Sequence, residues 1–188
     1  MHLLAVIIAL AIGTLIGLQF PDSDRVFSLL LVHRSIVTHG FILPLGLMLL
    51  VQDRARWLRM GAAGLILAVA VHLAFDLFPR QWYGYALITV PFFGRLDSTV
   101  SVLWIALSIA VCGVLALRLL RNRTDLALLL AAAGWGFVIT MGRERVWLLP
   151  LLALLVGLGI AACTPNAVID GRATIRQWRM ARQRRSQP

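Results

Sequence analysis

Along this chain, apolar residues come in long blocks broken by short clusters of Arg, Asp, Gly and Pro, with no amphipathic stripe and no strict alternation. A helix crossing a bilayer needs about 20 mostly apolar residues at a rise of about 1.5 Å each. Blocks of this kind predict helices over Leu3–Phe20, Met60–Phe78, Ser98–Leu117, Leu126–Met141 and Val146–Cys163. The segment Val26–Val51 is long enough for one more, but it carries His33, Arg34 and His39. Such groups, isolated in hydrocarbon, would cost several kcal/mol. This segment therefore predicts a short interfacial helix over Val26–Val32 and a break near His33-Arg34-Ser35. A spanning helix follows from about Thr38 to Val51, kinked at Pro44. Tyr85–Phe93 is too short to span and contains Pro91, which predicts an interfacial or re-entrant segment. The expected fold is all-α: a polytopic membrane bundle of about six spans over residues 1–163, followed by a basic tail over 164–188.

Composition agrees with this pattern. Of 188 residues, 60% are apolar and 14% charged, and the mean hydropathy of +0.87 lies well above that of a water-soluble domain. The excess of 18 basic over 8 acidic residues would suggest nucleic acid in a soluble protein. Here the arginines fall between apolar blocks, where topology accounts for them, and no nucleic-acid partner is expected. Every basic residue is Arg. Cys112 and Cys163 lie in or at the end of apolar blocks, so neither a disulfide framework nor a thiolate metal site is expected. The start of the chain lacks a basic n-region, and no small-x-small motif precedes Pro21, so the first block is expected to remain as a membrane helix.

Six spans put both termini on one side. The loops on that side and the tail hold Arg54, Arg56, Arg59, Arg118, Arg121, Arg123, Arg172, Arg176, Arg179, Arg182, Arg184 and Arg185. The other side holds Arg25, Arg34, Arg80, Arg95, Arg143 and Arg145. The twelve-to-six bias, half of the twelve supplied by the tail, predicts cytoplasmic termini. The tail, with Ile175 and Trp178 among its arginines, suits either a helix lying on an anionic leaflet or a disordered topogenic extension. Gly13-x-x-x-Gly17 permits a close helix contact, which points to packing inside the bundle and is no evidence of a dimer.

The candidate chemistry is carried by three histidines. His72 and Asp76 are four apart and so share one helix face, the usual start of a metal site. On an unbroken helix, His33 and His39 would point in different directions, and a break between them lets both join one site. In the expected topology the second span begins where the third ends, so His39, His72 and Asp76 lie at one depth, opposite the termini. Asp22 and Asp24 approach that face from the first loop, and Arg80, Trp82, Arg95 and Asp97 from a later one. Arg34, Arg80 and Arg95 either anchor to lipid phosphate or bind a substrate phosphate. Asp97 before Ser98 suits either an N-cap or a ligand or base. Glu144, between Arg143 and Arg145, reads as a local ion pair. No Walker loop, G-x-S-x-G or H-E-x-x-H motif is present.

His33-Arg34-Ser35-Ile36-Val37-Thr38-His39-Gly40 resembles the H-R-x-x-T-H-S type motif of the YdjM-like family of bacterial inner-membrane proteins, described as metal-dependent hydrolases. Gly40 stands where that motif carries Ser. His72-Leu73-Ala74-Phe75-Asp76 resembles the family's H-x-x-x-D, and the resemblance covers about residues 33 to 98. It implies a multi-pass protein of the bacterial inner membrane with His33, His39, His72 and Asp76 as metal ligands. Asp76 and Asp97 are the acidic candidates for catalysis.

The leading expectation is a membrane-bound hydrolase with a divalent metal, most simply Zn²⁺, near the outer interface. Imidazole and carboxylate donors suit that ion. Its substrate at headgroup depth would be a phospholipid or another phosphorylated lipid, with Arg34, Arg80 or Arg95 on the phosphate. The alternatives are a transport or ion-coupling protein using His39, His72 and Asp76 as a relay, and a structural protein whose polar cluster fixes helix packing. The cytoplasmic halves Leu45–Val51 and Met60–Ala70 hold no polar group to continue a relay.

Overall fold

The computed structural model describes residues 2–25, 34–78 and 86–164. Every described element of any length is helical. In chain order they are α1 (His2–Gln19), a 3₁₀ turn (Pro21–Arg25), α2 (Ile42–Val51), α3 (Arg56–Asp76), a small hairpin of β1 (Thr89–Val90) and β2 (Gly94–Arg95), α4 (Ser98–Arg118), α5 (Arg123–Glu144) and α6 (Leu148–Cys163). Helices α3, α4 and α5 are each long and apolar enough to cross a membrane; α1, α2 and α6 are apolar but shorter. The tail beyond Thr164 lies outside the described residues.

Helix α3 is the axis of the bundle, packed against α1, α2, α4, α5 and α6. Its middle is small and aliphatic, and Ala63, Ile66, Leu67, Val69, Ala70 and Leu73 are all sealed from the surface. By contrast, Leu4, Ile8, Ile12 and Leu15 on α1, Val100, Leu103 and Leu107 on α4, and Leu152, Leu155 and Val156 on α6 face outward. An apolar belt of this extent is compatible with a lipid surround and suits water poorly.

Helices α1 and α3 run parallel, since contacts advance together from Ala9 on Gly61 to Gly17 on Ala68. The two glycines of Gly13-x-x-x-Gly17 make this contact possible. A Cβ on Gly13 would land on the Gly61 carbonyl oxygen, and one on Gly17 would land on that of Leu65. The motif thus packs inside the chain, as its spacing suggests. The parallel arrangement carries the C-terminal ends of α1 and α3 to the same end of the bundle.

Two departures from the sequence expectation matter. The helix expected over Thr38–Val51 is confined to Ile42–Val51, because the backbone before it closes turns instead: the Thr38 and His39 amides both donate to the Ser35 carbonyl. At ten residues, α2 covers about 15 Å, half of a hydrocarbon core. Pro44 causes no kink, since it sits in the first turn of α2, where its missing N–H leaves no bond unmade. The expected break is present, with Arg34 in the left-handed region at φ 61°. The stretch expected to be interfacial or re-entrant ends in the β1–β2 hairpin, paired Thr89 to Arg95 and Val90 to Gly94. Ser35 forms a parallel bridge to Thr89, so the residues just before His39 are held by backbone bonds to the segment preceding α4.

At the opposite end, the buried Asp125 carboxylate takes two bonds from Arg56, at 2.7 Å and 2.9 Å, and one from the Arg121 amide. Nearby, the buried Arg59 guanidinium donates to the carbonyls of Leu119 and Arg54. These contacts tie the starts of α3 and α5 to the end of α4. Asp125→Ala is expected to lower stability by only about 1–2 kcal/mol, because Arg56 is 37% exposed and rehydrates when freed. Chemical unfolding of detergent-solubilised protein reads this loss.

Candidate metal centre

The site forms where α1 and α3 end together. His72 and Asp76 project from the last turns of α3, four residues apart on one face. The Leu18 carbonyl is one of the last four of α1, which have no intrahelical partner. The His72 Nδ1 lies 2.9 Å from it. A carbonyl only accepts, so Nδ1–H donates, and Nε2 is the nitrogen turned toward the cluster. That Nε2 faces Asp76 Oδ2 at 3.4 Å.

His39 comes to the same oxygen from the turn ahead of α2. Its Nε2 lies 3.4 Å from Asp76 Oδ2, and its Nδ1 lies 3.1 Å from Thr38 Oγ1 and 3.4 Å from Asp24 Oδ2. Asp24, on the 3₁₀ turn, is fully buried. Its Oδ2 also accepts from the Ser35 amide and the Thr38 hydroxyl. A run of donors from His39 Nδ1–H through the Thr38 hydroxyl to Asp24 thus sets the ring's tautomer and turns Nε2 toward Asp76. On the other side, Trp104 Nε1 of α4 donates to the His39 carbonyl at 2.9 Å. The departure at Gly40 has a local cause, since a Cβ there would meet the Trp104 ring at 2.7 Å. Burial pushes the His39 imidazole down to about 4, against a smaller upward pull from Asp76. Burial thus favours the neutral ring, the form a metal requires.

Two imidazole nitrogens therefore converge on one carboxylate oxygen. That oxygen is buried and, among the described residues, has no hydrogen-bond partner despite both rings lying 3.4 Å away. Donors around a tetrahedral ion at about 2.1 Å sit about 3.4 Å from one another. The donor set thus has the spacing and the chemistry of a site that could hold a cation, with each imidazole braced on its far nitrogen as metal-bound histidines usually are. Asp22 belongs to the same cluster: it, His39 and His72 each offer one ligand atom, all within 4.8 Å of one another.

The sequence-derived candidates are placed as follows. His39, His72 and Asp76 are brought together. Arg34 acts electrostatically on Asp76 and so stands beside them. Asp97 caps α4, with Oδ1 accepting from the Thr99 and Val100 amides, the first of the two roles its position suits. Arg95 lies exposed on β2. His33 and Arg80 lie outside the described residues. The sequence places Asp22 and Asp24 near this face without roles; the structure makes Asp22 a candidate ligand and Asp24 the brace of His39. The only signal for Asp24 was an acid close to the end of a span.

Asp24→Asn keeps the shape but replaces one acceptor with a donor. It is expected to weaken metal binding about 10–100-fold with little change in helicity, as read by competition with a chromophoric chelator. Unchanged affinity would show that His39 is oriented by its backbone alone. No protein-family model, curated protein or solved structure matches this chain.

Proposed function

We propose that this chain is a multi-pass membrane protein of about six spans that acts as a metal-dependent hydrolase, of the kind its His33–Gly40 and His72–Asp76 segments resemble in the YdjM-like family. The reading extends to a bacterial inner membrane with cytoplasmic termini, which would put the centre on the outer side. The observation that carries it is the buried Asp76 Oδ2, met at 3.4 Å by two Nε2 atoms and bonded to neither.

His39, His72 and Asp76 would hold the ion, with Asp22 as a further ligand. Two imidazoles with carboxylates favour Zn²⁺ over harder cations. When bound, such an ion supplies Lewis acidity and an activated water at neutral pH. The remaining tasks fall to the chain's own residues. Leu18 and Asp24 fix the two rings, the apolar walls of α1 and α3 keep bulk water from the inner side, and Arg34 would pair with an anionic group of the substrate. At the end of an apolar bundle, that substrate is best read as a phospholipid or other phosphorylated lipid.

A relay across the membrane is less well supported. Between this centre and the Arg56–Asp125 cluster, α3 offers only Met60 to Val71, a stretch without an ionisable group. Elemental analysis of detergent-purified protein tests the proposal: close to one equivalent of zinc per chain supports it. Protein that is folded, metal-free and unable to take up Zn²⁺ refutes it.

A further inference from the structure

The β1–β2 hairpin ends in Pro91-Phe92-Phe93, and both rings stand free. Phe92 is 102% exposed and Phe93 89%. The backbone makes this unusual. The Phe93 amide donates to the Val90 carbonyl at 3.1 Å, closing a turn with Pro91 at its second position and Phe92 at its third. Phe92 has φ 69°, a left-handed conformation that this type of turn normally assigns to glycine. A bulky aromatic thus occupies a position where local backbone energetics disfavour it, and nothing among the described residues packs against it. A broken local rule without a compensating contact inside the chain points to a contact outside it.

The surroundings indicate which contact. Three residues after Gly94, Asp97 caps α4, whose Val100, Leu103 and Leu107 begin the outward apolar belt. The aromatic tip therefore lies at the margin of that belt, with Arg95 beside it. Rings next to a guanidinium at the edge of an apolar band suit the boundary between headgroups and acyl chains, where aromatic side chains collect.

We propose that Phe92 and Phe93 form an interfacial anchor that inserts into the leaflet on the side of the His39–His72–Asp76 cluster and fixes that cluster's depth. The connection to the cluster is backbone throughout. Thr89 of β1 donates to the Arg34 carbonyl and accepts from the Ile36 amide, both at 2.9 Å, and Ser35 between them bonds Asp24 and takes the His39 amide. Pulling the tip toward lipid thus bears on the turn that carries His39. The proposal rests on the chain lying in a bilayer and does not depend on the hydrolase reading.

Site-directed spin labelling in proteoliposomes tests it. In a Cys163→Ser background, which removes the exposed thiol, Phe93→Cys and, separately, Phe92→Cys are labelled. Collision with oxygen and with a water-soluble nickel chelate is then measured. Leu103→Cys, 63% exposed on α4, calibrates lipid, and Asp53→Cys, exposed in the turn between α2 and α3, calibrates water. The expected result is an oxygen-to-nickel ratio at the tip several-fold above that at residue 53 and approaching that at residue 103. A ratio at either tip position equal to that at residue 53 overturns the anchor, whatever metal analysis shows of the site.

Discussion

Protein carrying His72→Ala together with Asp76→Ala is expected to emerge from purification without divalent metal, where the wild-type chain is expected to retain it, and to keep its helical content. Each substitution removes a donor from the proposed set of four, and Asp76 lies 3.4 Å from both rings. Loss of an outer brace alone typically weakens a metal site about 10–100-fold, so loss of two direct ligands should exceed about 100-fold and abolish stoichiometric binding. The helix itself has little reason to fail. His72 and Asp76 lie in its last turns, and the packed middle of α3 from Met60 to Val71 is untouched. Full metal retention in the folded double variant would leave the hydrolase proposal without its centre. A companion pair, His72→Leu with Asp76→Leu, separates binding from packing. If the cluster only glues helices, apolar side chains of similar volume should leave the protein at least as stable as before.

The helices were legible in the sequence because their physics is local. An apolar block between charges has few other structures available in a membrane, and α1, α3, α4, α5 and α6 fall within a few residues of the predicted runs. The i, i+4 relation of His72 and Asp76 was legible for the same reason. Other features depend on partners far away in the chain. Ser35 pairs with Thr89, 54 positions on, and nothing in Ser35-Ile36-Val37 announces a bridge. The apolar stretch before Pro91 looks the same whether it skims an interface or turns a hairpin. Asp24 is silent in sequence because its value lies in reaching His39 across 15 positions. The shortening of α2 is a consequence of that contact: once Thr38 bonds Asp24, the chain at Thr38 is held in a turn and helix begins only at Ile42.

The same parallel contact that delivers Leu18 to His72 also makes the fold sensitive to one methyl group. Gly13→Ala places a Cβ on the Gly61 carbonyl oxygen. The obstacle is backbone on a neighbouring helix, so no side chain can swing aside, and α1 must move away from α3. The expected cost is about 3 kcal/mol, the upper end of what overpacking a core usually causes. A second effect should follow at the far end of the helix. Displacing α1 draws the Leu18 carbonyl from its 2.9 Å contact with His72 Nδ1, the ring loses its fixed orientation, and metal affinity falls though residue 13 is nowhere in the site. Gly134→Ala is the matched control, since a Cβ there meets nothing within 4 Å and should be neutral or stabilising by up to about 1 kcal/mol. Thermal unfolding in detergent and chelator competition, run on both variants, distinguish the outcomes. If Gly13→Ala matched Gly134→Ala in both, α1 and α3 would not touch as closely as their glycines imply. The anchoring of His72 by α1 would then have to be abandoned as well.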